Sequence, residues 1–530
     1  MDKRLGRGFR HFTLIILSAF VACCFVACGE RHVNPNQDLT IDCYAVSDSS
    51  KYRLSYKDIR REIRRLAVAD TDTLIADYYT RSHYLNHFSL VWIDRKGIDH
   101  RADSVLARLH AVSGMGFNPE KFRIGQIEAD LARARSLDFN ERGNRINKVY
   151  ARIEYDLTKA YFRFATGQRF GYTNPNTLFN RLDRRDSDSP TPVYNTLYAL
   201  DKSSPKRGFY AKALNKVHND SAAVFLDSLA PQWKYYYQLK NLLNGGSVAS
   251  YGRKLLLVNM ERCRWRMDDY PESHNKYIIT NIPSFRLRAV DGSKVLLMRM
   301  GCGSIKTKTP VLCSNITRMD INPQWIMPRS IVKKSIIPRL GDRWYFSSHH
   351  YFIRERATGK DIDIASVTPA MLLSGDYLAI QEGGEGNALG RVIFRFDNDF
   401  SIYLHDTSSK SFFSRDDRDV SHGCIRVERP FDLAAFLVGN DSKLVDKIWY
   451  SMNADVSPLG KRKDELTEAQ RAVADTLRRD MLVGRVEVKP QVPLFIVYFT
   501  LFPDADGQLR TFNDVYGYDK LIYDYLANYM

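Results

Sequence analysis

The spacing of apolar positions changes near Asn244-Gly245-Gly246-Ser247. Before that point apolar residues recur at helical spacing. The clearest stretch is 145–165, where Ile146, Val149, Tyr150, Ile153, Leu157, Ala160, Tyr161 and Phe164 share one face. Further helices are predicted over 56–68, 102–112, 119–136 and 221–244. After Gly246 short apolar runs bounded by turn residues predict strands over 254–260, 276–282, 285–290 and 295–300. Asp291-Gly292 between the last two predicts a tight hairpin. A second hairpin is expected from 391–396 and 401–405 around Asp397-Asn398-Asp399, and strand returns over 485–489 and 494–501. The fold class is α+β: a mainly helical N-terminal domain followed by a mostly-β C-terminal domain.

The N-terminus sets the compartment. Lys3, Arg4, Arg7 and Arg10 precede an apolar run from Phe12 to Ala27, short for a spanning helix and suited to an export signal. It ends Phe25-Val26-Ala27-Cys28-Gly29, which resembles the lipobox of bacterial lipoproteins, and Phe20-Val21-Ala22-Cys23 is a second candidate. Lipidation at Cys28 or Cys23, an uncleaved signal anchor and a plain signal peptide all put the rest of the chain outside the cytoplasm. The expected localisation is periplasmic, held at the inner or outer membrane by a lipid anchor or signal anchor.

Composition adds a constraint. The chain of 530 residues carries a net charge of +17, with the basic residues spread through periodic segments. No zinc-finger spacing or single-strand-binding aromatic motif accompanies them, so nucleic acid is not an expected partner. Eight cysteines are too sparse for a disulfide scaffold, and Cys23, Cys24 and Cys28 belong to the signal region. Cys302 and Cys313 read equally well as a bridge between neighbouring strands and as two unpaired thiols. No CxxC pair is present to suggest a redox or zinc motif, and no cofactor is expected.

Candidate chemistry concentrates in 403–427, YLHDTSSKSFFSRDDRDVSHGCIRV. A cysteine nucleophile needs a base, oxyanion donors and space for an acyl carbon. His405 at a strand end is placed to take the Cys424 proton and later protonate a leaving amine. Gly423 permits close approach of the backbone, and the N–H groups of Gly423 and Cys424 are candidate oxyanion donors. Arg426 suits a substrate carboxylate or a structural ion pair. On the residues alone, Cys424 reads as a nucleophile, as packing, or with His405 and His422 as part of a metal site lacking a fourth ligand.

The block SHGCIRV with its upstream histidine resembles the signature of the L,D-transpeptidase catalytic domain, nearest the large Gram-negative branch with a helical scaffold domain. LNHFSLVWID (85–94) and ARIEYDLTKAYFRF (151–164) are similar to scaffold-domain segments. VNMERCRW (258–265), NIPSFRL (281–287), NPQWIMP (322–328) and 381–396 are similar to the catalytic half, as are 493–498 with 514–519. The resemblance implies Cys424 as nucleophile, His405 as proton donor and acceptor, and the Asp406 backbone carbonyl as the group orienting the imidazole. It implies an oxyanion hole at His422, Gly423 and Cys424, with Ser421 and Arg426 supporting the site and no metal. It further implies peptidoglycan stems as partner: Cys424 attacks the bond after diaminopimelate, D-alanine leaves, and an amine resolves the thioester as a 3→3 cross-link. Carbapenems are expected to acylate Cys424.

The expected organisation is a signal over 1–28 and a linker over 29–50, then a scaffold domain over 51–247. The catalytic domain follows over 253–455, with a mobile capping segment at 341–390 carrying Trp344, Tyr345 and Tyr351. His349-His350 reads as an exposed loop pair. A charged helical insertion covers 456–481, and completing strands cover 482–530. The separate peptidoglycan-binding insert of larger relatives is not expected between 245 and 252. Two other functions remain open at this point: an L,D-carboxypeptidase or hydrolase using the same site, and a catalytically inactive wall-binding lipoprotein.

Overall fold

A computed structural model describes residues 51–530 apart from 95–96, 185–190, 201–202, 247 and 505. The expected signal, linker and cysteines 23, 24, 28 and 43 lie outside the described residues. Among the described residues no helix is long and apolar enough to cross a membrane. The chain folds into two compact units. The smaller holds the described residues up to Ala111 with Pro119–Phe164 and Arg207–Ser228; the larger holds Val112–Asn118, Ala165–Lys206 and Leu229–Met530.

The smaller unit is helical. Tyr56–Ala69, Ile75–Asn86, His100–Leu109 and Ile124–Ser136 surround the N-terminal part of the long helix Ile146–Phe170. Val149, Ile153, Leu157 and Tyr161, all predicted on one face, are fully buried. Polar groups are buried there in satisfied sets. Glu154 accepts from the amides of Val91 (2.5 Å), Trp92 (3.0 Å) and Ile93 (3.3 Å) and from the Tyr84 hydroxyl (2.8 Å). Burial pushes its carboxyl up to about 7 against those hydrogen bonds. The helix expected over 221–244 is two, Ala222–Ser228 and Lys234–Asn244. Pro231 lies between them, where it cannot continue a helix.

The larger unit is built on a closed sheet. Its strands are β1 (Tyr198–Ala199), β2 (Lys276–Asn281), β3 (Arg286–Asp291), β4 (Lys294–Gly303) and β5 (Val311–Ile321), then β6 (Trp325–Ile326), β7 (Tyr351–Glu355), β8 (Asp361–Ile362) and β9 (Tyr377–Gln381) in a separate sheet. β10 (Val392–Phe396), β11 (Leu404–His405), β12 (Asp419–Ser421), β13 (Ile425–Val427) and β14 (Arg485–Val497) complete the main sheet. Its order is β10-β11-β13-β4-β3-β2-β14-β5-β1, and an added β10–β5 pairing closes the path into a ring. The Asp291-Gly292 hairpin forms as expected, with Asp291 opposite Lys294. Strand β14 joins the two runs predicted at the C-terminus through a register shift between Glu487 and Val492.

One expectation fails here, and one open alternative is decided. Residues 254–260 are not a strand but part of the buried helix Arg253–Arg264. A short apolar run does not separate a buried strand from a buried helix. The helical period puts Asn259 and Arg262 on one face, where Asn259 Oδ1 accepts from the amides of Thr500 (3.0 Å) and Leu501 (3.3 Å) and Arg262 pairs with Asp519 (2.6 Å). Cys302 and Cys313 do not bridge neighbouring strands: both are free thiols, and β4 and β5 are separated in the sheet by β3, β2 and β14.

The segment singled out at 341–390 is folded. Strands β6 (Trp325–Ile326), β7 (Tyr351–Glu355), β8 (Asp361–Ile362) and β9 (Tyr377–Gln381) form an antiparallel sheet in the order β8-β7-β9-β6. It has its own core, with Met327, Val332, Ile336, Phe346 and Ile353 buried together. Its sheet takes in Trp325, upstream of the segment read from the sequence.

Candidate active site

The main sheet brings the histidine and the cysteine together. β11 runs parallel to β13, with Leu404 opposite Ile425 and His405 opposite Arg426. Cys424 immediately precedes β13, and the Ile425 amide donates to the Tyr403 carbonyl (3.1 Å). The two candidate catalytic side chains therefore come from adjacent strand ends rather than from a mobile loop.

His405 is 4% exposed. Its Nδ1–H donates to the Asp406 carbonyl, which leaves the Nε2 lone pair to accept a proton. Burial and the neighbouring Arg426 charge lower its pKa to about 4, although the carbonyls of Asp406 and Leu389 favour the charged form. Burial likewise pushes the Cys424 thiol up to about 11; the Tyr403 backbone and the Arg426 charge offset only part of this. At neutral pH the pair rests as neutral imidazole and neutral thiol. It is set up for general-base transfer on substrate arrival, not as a standing thiolate–imidazolium pair.

The Asp406 side chain has a task that the sequence did not reveal. Its carboxylate accepts from the Arg391 amide (2.8 Å) and from Lys410 Nζ. Gly390 packs so closely that a Cβ there would lie 2.3 Å from Asp406 Cγ, at φ +66°. The contact fixes the segment that carries Leu389 against His405.

The Ser421–Cys424 turn is tightly held. Ser421 Oγ donates to the Cys424 carbonyl (2.6 Å) and accepts from the Gly423 amide (3.1 Å). The Gly423 N–H, expected to serve an oxyanion, is thus directed at Ser421 instead. Gly423 has φ +114°, a conformation that favours glycine. The His422 side chain is exposed, and partial burial with the Lys334 and Arg426 charges lowers its pKa. Arg426 lies over the Phe412 ring (5.5 Å), and its buried Nε has no hydrogen-bond partner. Among the described residues its guanidinium makes no ion pair, so the structural ion-pair reading of Arg426 is not realised.

Cys424, His405 and Arg426 open into a cleft of about 930 Å³. One wall is Thr196 to Ala199 with Lys306 to Lys308, the other Trp325, Pro328 and Ile331 from the small lobe, with Ala388 and Leu389 at its edge. Trp344, Tyr345 and Tyr351 do not line it: Trp344 is 75% exposed and the other two pack on the lobe core. His349 and His350 are exposed as read. The sequence missed the wall at 194–199, which Asn180 secures by accepting from the Leu197 (2.8 Å) and Tyr198 (2.9 Å) amides. It also missed Thr307 and Thr309; Thr-Lys-Thr-Pro after two close glycines was the available signal.

Comparison with known proteins bears on the domains. Residues 275–447 match the family model of the L,D-transpeptidase catalytic domain, and residues 73–243 match that of a scaffold domain. A Haemophilus influenzae protein, itself only provisionally assigned as an L,D-transpeptidase, is 27% identical over 337 residues, covering 62% of this chain and 62% of that protein. An L,D-transpeptidase from Mycobacterium smegmatis superposes with a TM-score of 0.18 at 15% identity, covering 42% of this chain and 58% of that one, a likeness too low to bear on the fold.

Proposed function

The chain carries an L,D-transpeptidase catalytic domain together with a scaffold domain, and from that premise we propose that it is a peptidoglycan L,D-transpeptidase working through a Cys424 thioester. The observation that carries the reading is the pairing of β11 with β13, which sets His405 beside Cys424 in one cleft. In the first half-reaction His405 Nε2 takes the Cys424 proton as sulfur adds to the diaminopimelate carbonyl of the bond to D-alanine. The tetrahedral oxyanion collapses, the C–N bond breaks, and the imidazolium gives its proton to the leaving D-alanine amine. In the second, an amine of another stem adds to the thioester while His405 accepts its proton. The thiolate leaves and recovers a proton, and a 3→3 cross-link results. The energy of the cleaved peptide bond passes through the thioester, so no nucleotide is required.

The unpaired Arg426 guanidinium supports recognition of a carboxylate on the stem. The basic and apolar run ending at Cys28, with Cys23 as second candidate, supports export and lipid anchoring in the periplasm. The experiment is to incubate the purified protein with tetrapeptide-bearing muropeptides and resolve the products by mass spectrometry. Dimers lacking one D-alanine are expected. Tripeptide monomers alone would replace transfer by hydrolysis, and unchanged substrate would remove the assignment.

A further inference from the structure

The loop after β4 holds the cysteine turn from behind. Thr307 Oγ1 donates to the Ser421 carbonyl (2.9 Å), which also accepts from the Ser304 amide (3.0 Å). Thr309 Oγ1 donates to the Gly423 carbonyl (2.8 Å). The direction of that bond is settled because a carbonyl oxygen only accepts, and a lone pair of the hydroxyl is taken by the Gly303 amide (2.8 Å). Thr309 is held in turn: its own amide donates to the Tyr516 hydroxyl (3.1 Å), which donates to the Gly303 carbonyl (2.7 Å). Thr309 is 1% exposed and takes no part in the cleft lining. A Cβ on Gly303 would lie 2.0 Å from the Thr307 carbonyl oxygen, so loop and strand end are in close contact.

Peptide geometry turns this support into an orientation. In a trans peptide the C=O of one residue and the N–H of the next point in opposite directions. With the Ser421 and Gly423 carbonyls both drawn toward 304–309, the N–H groups of His422 and Cys424 face the other way. The Gly423 N–H is turned to Ser421 Oγ. We propose that Thr309, assisted by Thr307, is a positioning residue that aims the Cys424 N–H, and with it the His422 N–H, at the oxyanion formed when Cys424 attacks a carbonyl. The proposal rests on Cys424 being the nucleophile. Thr309 lies outside the cleft lining and acts only through the turn; Thr307 does line the cleft, and its part here is the bond to the Ser421 carbonyl.

Two electrophiles separate positioning from general damage. A carbapenem acylates a thiol through an oxyanion, whereas iodoacetamide alkylates it by displacement at carbon with no oxyanion. The full chain and its Thr309→Val, Thr309→Ser and Thr307→Val variants are treated with each at one pH, and Cys424 modification is timed by intact mass. Thr309→Val keeps the shape and removes the donor, and is expected to slow acylation about 100-fold, the scale of losing one oxyanion donor. Its alkylation should stay within about twofold of the parent, since no oxyanion forms. Thr309→Ser retains the donor and should acylate like the parent. Thr307→Val should lose less, because Ser304 still holds the Ser421 carbonyl. Acylation of Thr309→Val at the parent rate, an equal fall in both reactions, or a serine variant as slow as valine would each overturn the proposal. If the parent's Cys424 takes neither reagent, the nucleophile reading itself fails.

Discussion

The neutral resting state of the Cys424–His405 pair makes a prediction that can be read from the thiol alone. With its pKa at about 11, Cys424 is thiolate in about one molecule in ten thousand at pH 7. Alkylation by iodoacetamide proceeds through the thiolate, so its rate on free protein should climb about tenfold per pH unit from 7 to 10, without a plateau. His405 is not a counterion at these pH values, because burial holds it neutral down to about 4. His405→Asn should therefore leave the slope of the alkylation profile nearly unchanged while abolishing turnover, which needs the base. The assay is intact-mass timing of carbamidomethylation across pH, with Cys424→Ala to identify the site. Cys263, Cys302 and Cys313 are unpaired thiols whose pKa burial also raises, Cys302 to about 12, so they should label still more slowly. A plateau beginning below pH 8 would show a standing thiolate and refute the reasoning.

Other perturbations test separate parts of the structure. His405 ionises at about 4 when folded against 6.5 ordinarily, so the unfolded chain binds a proton that the native site resists. Stability is then complete above pH 6.5 and falls as pH drops toward 4, by about 3 kcal/mol at most. His405→Asn should lose less between pH 7 and 4.5 in guanidinium titration, and equal losses in both proteins would contradict this origin. Glu154→Ala leaves the Tyr84 hydroxyl and the Val91, Trp92 and Ile93 amides without their buried acceptor. It should cost about 3–5 kcal/mol, and a loss under about 1 kcal/mol by denaturant titration would sink that account. Arg426→Gln removes the unpaired guanidinium and should raise KM for a carboxylate-bearing stem about tenfold or more with a smaller change in kcat. An unchanged KM would show that Arg426 does not hold the substrate.

The extent to which the site was legible follows from where its information lies. Cys424, His405 and the hairpin at Asp291-Gly292 are carried by local spacing and turn chemistry, and the structure brings the first two to neighbouring strand ends. The helical face of 146–164 was equally plain from its period. The helix Arg253–Arg264 was misread because a run apolar on every side has no period to distinguish it; what fixes it is long-range, Asn259 to Thr500 and Arg262 to Asp519. Of the two readings left open for Cys302 and Cys313 the unpaired one holds, since a bridge needed neighbouring strands and the closed sheet inserts three strands between them. The direction of the Gly423 N–H was beyond the sequence, because it depends on the placement of Ser421 Oγ, and the flanking carbonyls of Ser421 and Gly423 are held by threonines more than a hundred positions upstream.

The central claim, that Cys424 carries the stem as a thioester, is tested most directly by acid-quenching the protein during turnover of a tetrapeptide stem and mapping the adduct by peptide mass spectrometry. The account predicts an acyl group of substrate mass less D-alanine on Cys424, labile to hydroxylamine and absent from Cys424→Ala. Turnover with unmodified Cys424 at every quench time, or with turnover retained in Cys424→Ala, would contradict it.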